Sequence, residues 1–225
     1  MKKILLIILI ILINTSAFAE LFVPKGNEYL FEILRKNKII GHHSFIFEKE
    51  EGTIKVKTDV HIKVKFGFIK LYGYQHSNIE KWEDGELISI VTYTTTNSKK
   101  EYSLRGKQKN SFFEFNGVDG IKNTDKKVIP ISYWNKEIIN KKEFLDSQKG
   151  IIRKIEIKEI NEEKILFNDI EFIAKQYEIN VKTKHPTDEK ELSVIYVWYT
   201  HEGELLKLRF KSPEDKSVIE YKRKI

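Results

Sequence analysis

Cysteine is absent from the 225-residue chain. That excludes a disulfide framework, a thiolate-held zinc or iron–sulfur centre, and the acylated cysteine of a lipoprotein. Prolines number 4 and glycines 11, and low-complexity tracts or an evident interdomain linker are missing. Arginine is scarce too: Arg35, Arg105, Arg153, Arg209 and Arg223 stand among 40 basic residues, against 33 acidic ones. The formal charge of +7 is therefore mostly lysine, interspersed with acids along the whole chain. Nucleic-acid readers cluster charge and favour arginine, so nucleic acid is not an expected partner. After residue 19 no apolar run is long enough to span a bilayer as a helix. G-x-S-x-G, S-x-x-K and phosphate-cradling glycine loops are all missing, as are H-x-H and H-E-x-x-H. No metal site and no cofactor is expected.

What is present begins at the N-terminus. Met1-Lys2-Lys3 is followed by an unbroken apolar run, Ile4 to Ile13, and then by Ala17-Phe18-Ala19. This is the layout of a secretory signal peptide, with cleavage expected after Ala19. The run has half the length of a membrane-spanning helix. Residues 20–225 are expected to form one domain in the periplasm or outside the cell.

Hydrophobic residues make up 40% and aromatics 12%, enough to bury a core. Their dominant period is two. Ile54, Val56, Thr58, Val60, Ile62, Val64 and Phe66 alternate with Lys55, Lys57, Asp59, His61, Lys63 and Lys65, which predicts a half-buried strand. At its full length of about 43 Å it is expected to bend within a curved sheet. Further strands are predicted at Glu28–Arg35, Gly41–Glu48, Leu71–Trp82, Leu87–Thr96, Glu101–Gly106, Ser111–Phe115, Ile151–Ile160, Ile165–Ile173, Tyr177–Lys182, Leu192–Tyr199, Leu205–Lys211 and Val218–Tyr221. Turns at Lys36-Asn37-Lys38, Asp84-Gly85, Asn97-Ser98 and Glu202-Gly203 separate them. Ile121 to Pro130 reads as a loose connection, and Lys136 to Leu145 as a short helix or ordered crossover. The fold class is all-β: a strongly curved antiparallel sheet, an open barrel or half-barrel.

Two stretches carry candidate binding residues. On an extended Leu71–Trp82, the residues Tyr72, Tyr74, His76, Asn78, Glu80 and Trp82 share one face. Large aromatic bodies with hydrogen-bonding tips suit a cleft wall that takes an apolar ligand and orients it. They also suit cross-strand packing in a filled core, with His76 and Glu80 hydrogen-bonded structurally. Tyr133, Trp134 and Asn135, after Pro130, form either a plug closing the β core or a binding platform. The adjacent His42 and His43 point to opposite faces of a strand and cannot easily share a metal.

Tyr74-x-His76, Glu80-x-Trp82-x-Asp84-Gly85-x-Leu87, Ser132-Tyr133-Trp134-Asn135, Leu145-Asp146-Ser147-Gln148-x-Gly150, Trp198-Tyr199 leading to Gly203-x-Leu205, and Ile219-x-Tyr221 occur in order along the chain. Together they resemble an exported bacterial family known as domain of unknown function 6134. Many of its members carry a glycine before the serine of the last hairpin, where this chain has Lys216-Ser217. The resemblance implies an exported, mostly β protein and brings no catalytic residues with it. The function expected is a non-catalytic periplasmic binding or carrier protein for an apolar or lipid-like ligand. The alternative is a structural or interaction protein of the cell envelope with a filled core. A hydrolase using Glu80 and His76 is a third and weaker reading. No protein partner is identifiable from the sequence.

Overall fold

The computed structural model describes residues 21–66, 69–97, 100–167, 169–188, 194–213 and 215–224. The expected signal peptide therefore lies outside the described residues, as do Ser98 of the Asn97-Ser98 turn and the expected strand start at Leu192.

Two meanders make one sheet. The first runs β1 (Glu28–Arg35), β2 (Lys38–Glu50), β3 (Thr53–Phe66), β4 (Ile69–Glu83), β5 (Glu86–Thr96), β6 (Lys100–Gln108), β7 (Phe112–Gly117) and β8 (Gly120–Asp125). The second runs β9 (Glu143–Leu145), β10 (Ile152–Phe167), β11 (Ile170–Val181), β12 (Ile195–Tyr199), β13 (Leu205–Lys211) and β14 (Val218–Lys224). Each strand pairs with its sequence neighbour. A single long-range pairing, β1 with β14, joins the halves into a 14-stranded antiparallel sheet with β8 and β9 at its two ends. The all-β, strongly curved, open-barrel expectation is what forms.

Tight turns set the registers. Lys36 and Asn37 both have positive φ (50° and 60°), as do Asp84 and Gly85 (49° and 76°). Two consecutive left-handed residues twist a two-residue hairpin in the same sense as its strands. Lys216 takes φ 58° in the last hairpin without a glycine's freedom. Bulges interrupt the pairing at Ile33/Leu34, Val64/Lys65, Lys81/Trp82, Glu159/Asn161 and Trp198/Tyr199. Each adds local twist and bend, which lets long strands such as β3 curl instead of extending flat.

The concave side holds the main core. Tyr29, Phe31, Phe45 and Phe47 pack ring against ring from β1 and β2, with Val56, Leu87, Ile90, Leu104 and Phe113 beyond them. On β12, Val197 and Tyr199 join the main core while Trp198 belongs to a second, smaller one shared with the β10–β11 hairpin. There Ile165 and Phe172 pack on Trp198 and Leu206.

Two expectations are corrected. Ile121 is not the start of a loose connection: Gly120–Asp125 is a paired strand, and the connection begins after it. β10 continues through Asn161 to Phe167, so Ile165–Ile173 spans the end of one strand and the start of the next. The crossover from 126 to 142 is ordered. Val128, Ile129 and Pro130 are buried, and the segment bonds to β9 through Leu145 N–H to Ile129 O (2.9 Å) and Ile131 N–H to Leu145 O (3.0 Å). This covers one sheet edge, satisfying backbone groups that would otherwise be unpaired. Lys136–Asn140 is a short 3-10 turn.

Candidate ligand-binding cavity

The Asp84-Gly85 turn fixes which way β4 faces. Its candidate residues do share the concave face, and the structure divides them into a filled end and a hollow one.

At the filled end Glu80 is fully buried. Its carboxyl accepts from Trp82 Nε1 (2.9 Å), Trp134 Nε1 (3.0 Å) and Asn78 Nδ2 (2.6 Å). Trp134, arriving from the crossover, packs edge-on against Trp82 and Phe47, with centroids 5.4 and 5.3 Å away. Burial pushes the Glu80 pKa up, and the three N–H donors only partly offset it. Trp134 is thus a plug pinned to a buried carboxyl. Asn135 caps the 3-10 turn, accepting from Glu137 N–H at 3.0 Å. Glu80, Trp82, Trp134 and Asn135 belong to this packed end, and Glu80 and His76 are each committed to other groups.

At the hollow end Tyr72, Tyr74, His76, Asn78 and Tyr133 line a chamber of about 370 Å³. Its apolar wall comes from Val60, Ile62, Phe144, Ile195, Leu208 and Phe210. A second recess of about 630 Å³ adjoins it, sharing Ile62, Tyr72, Tyr74, Asp146, Arg153 and Phe210 and reaching Asn97, Lys100 and Thr187. Together they form an inner chamber and a mouth. Tyr133 takes φ 65°, a strained value for a bulky residue, and its carbonyl accepts from the Tyr199 hydroxyl at 2.6 Å.

The chamber's two histidines are held in the neutral form near pH 7. Burial, with His76 and His42 nearby, lowers the His43 pKa to about 3. Burial lowers His76 to about 4 against the opposing pull of Asp146 and Asp59. His76 Nδ1 bonds the Thr94 hydroxyl at 2.7 Å, and the His43 ring lies 4.2 Å from that of Phe45. Chamber atoms buried with no hydrogen-bond partner include His43 Nε2, Thr58 Oγ1 and Asn78 Oδ1.

Where chamber meets mouth, charges cancel. Arg153 bonds Asp146 (2.7 Å) and, through both terminal nitrogens, Asp188 (2.8 Å each), while Lys149 bonds Asp188 at 2.7 Å. Burial alone would raise the Asp188 pKa, but its bonds to Arg153 and Lys149 hold it well below the usual carboxylate range. Among the described residues no group of three or more His, Cys, Asp or Glu is placed to hold a metal ion. None of their helices is long and apolar enough to cross a membrane.

The sequence reading passed over His43, Thr58 and Arg153 as chamber residues. His43-x-Phe45-x-Phe47 is an inward alternation that signals His43, and Arg153-x-Ile155 signals Arg153 in the same way. Asp188 has no such signal, because it reaches the cluster from a loop.

No curated protein sequence matches the chain. Among solved structures, a beta-barrel-like protein of domain of unknown function DUF1849 from Brucella abortus is similar in fold. Its TM-score is 0.62 at 9% identity, over 88% of this chain and 94% of that one. At that identity the likeness concerns the fold alone. The model of the family described as Domain of unknown function (DUF6134) matches residues 31–224, and the chain belongs to that family.

Proposed function

We propose that this is a binding or carrier protein that takes an apolar or lipid-like ligand into the chamber behind Tyr72 and Tyr74, and that it works in the periplasm or outside the cell. The observation that carries this reading is the chamber itself. About 370 Å³ of space with mostly apolar walls and a few polar groups lies behind an open mouth, the form small-molecule sites usually take. The apolar run ahead of Ala17-Phe18-Ala19 supports the compartment. The test is binding of the solvatochromic dye nile red, together with native mass spectrometry of protein purified from its own host. A Val60→Trp variant fills the chamber from β3. Blue-shifted dye fluorescence that Val60→Trp abolishes is the expected result. Absence of dye binding and of any co-purified molecule would reject the reading.

A second reading, an interaction protein of the envelope, is favoured by the β10–β11 arm. Its solvent side exposes Leu166, Ile170 and Ile173, a cluster of large apolar side chains of the kind that marks interaction sites. Leu166→Glu with Ile173→Lys should abolish capture of a stable partner from envelope extracts and leave dye binding intact. Unchanged capture would reject it.

A further inference from the structure

Resting on the binding reading above, we infer that the chamber selects a neutral, hydroxyl-bearing apolar molecule, an alcohol in preference to a carboxylate, amine or ether, and that its hydroxyl docks between Thr58 and Asn78.

Glu80 orients the group that matters most. Its carboxyl is held by two indole N–H groups and takes the Asn78 amide nitrogen at 2.6 Å. The amide is thereby fixed in one orientation and presents its carbonyl oxygen, Oδ1, as a free acceptor among the chamber residues. Asn78 and Thr58 face each other directly across β4 and β3. His43 sits one inward position along, since it pairs with Val60 while Phe45 pairs with Thr58. Asn78, Thr58 and His43 are 1%, 5% and 6% exposed, and each contributes one unsatisfied polar atom. Leaving such atoms unpaired is costly, so a ligand that satisfies them gains over one that does not.

The set determines the chemistry. Asn78 Oδ1 can only accept, so the ligand must bring a donor. The Thr58 hydroxyl can then donate back. One alcohol group does both. A carboxylate has no hydrogen for Asn78 and finds no free cation, because Arg153 and Lys149 are already matched by Asp146 and Asp188. Burying it unpaired is strongly unfavourable. An ammonium can donate, but the oxygens of Glu80, the nearby acid, are already engaged by three N–H groups.

Displacement of nile red at pH 8 by 1-decanol, decyl methyl ether, decanoate and decylamine tests this on the mature chain. 1-Decanol should displace the dye at about tenfold lower concentration than the other three, the effect of one satisfied buried acceptor. Asn78→Leu should shrink the alcohol-to-ether ratio by several-fold, and the near-isosteric Thr58→Val, which removes a donor to the ligand oxygen, should weaken displacement by 1-decanol several-fold. Equal displacement by alcohol and ether, a preference for decanoate or decylamine, or displacement by 1-decanol unmoved in a folded Thr58→Val would overturn the inference and leave the binding reading standing. Failure of the dye and all four compounds to bind would overturn both.

Discussion

Glu80 shows how one buried residue organises its surroundings. Removing its side chain strands the indole N–H groups of Trp82 and Trp134 in a dry interior. Glu80→Ala should destabilise the fold by about 3–5 kcal/mol in urea titration, and Glu80→Gln by less, because an amide oxygen still accepts. The buried histidines give a pH signature. His43 and His76 have folded pKa values near 3 and 4, below the 6.5 of a free imidazole. Between pH 6.5 and about 4 the unfolded chain therefore binds more protons. The stability they contribute is complete above pH 6.5 and is lost as pH falls, by about 2 kcal/mol for each histidine at pH 5. Glu80, whose pKa is raised, acts with the opposite sign: its contribution is greatest in acid and is lost as pH rises through its folded value. Between pH 7.5 and pH 5 the wild type should therefore lose about 2 kcal/mol more stability in urea titration than His43→Phe does. The same pH dependence in both would refute this.

At the scale of elements, the crossover and the two sheet ends carry most of the specificity. Trp134 converts one end of the concave face into core, and Trp134→Ala should cost about 3–5 kcal/mol in the same titration. The sheet ends meet where Gly117 of β7 lies against Gly150 ahead of β10, with Val118 N–H donating to Lys149 O at 2.9 Å. A Cβ on Gly117 would fall 2.3 Å from Gly150 O. Gly117→Ala should lower stability by roughly 2 kcal/mol or more, measured by thermal unfolding, because backbone cannot yield as a side chain does. The legibility of the elements follows the same physics. β3 and β4 alternate cleanly because each turns one face toward the concave side, and Asp84-Gly85 sets the phase of β4 against β5. β8 left no trace because Gly120–Asp125 is exposed on nearly every residue, so no apolar period exists to read. Asn161-Glu162-Glu163-Lys164 carries no strand signal because that stretch of β10 is solvent-exposed with a bulge beside it. The inward face of β4 was legible, but its division was not. Whether Tyr74 and Trp82 border space or packing depends on a tryptophan that arrives from a different part of the chain.

Over the whole molecule, nearest-neighbour pairing accounts for every strand contact in the sheet except one, β1 with β14, where Leu30 faces Lys224 and Arg35 faces Ile219. The start of β1 and the end of β14 therefore lie side by side. Closing a loop of nearly the whole chain is entropically the most demanding step of assembly, and non-local pairing slows folding. During synthesis the first strand waits for the last one before it has a second neighbour, and until then its outer edge stays open to other chains. A permutant that joins Lys224 to Glu28 by a short linker and opens the chain between Lys126 and Lys127 turns that seam into an ordinary hairpin. It should refold several-fold faster than the parent in stopped-flow fluorescence and aggregate less while doing so. An unchanged rate would mean that the seam is not what limits folding. The same pairing that completes the sheet is then also its kinetic bottleneck.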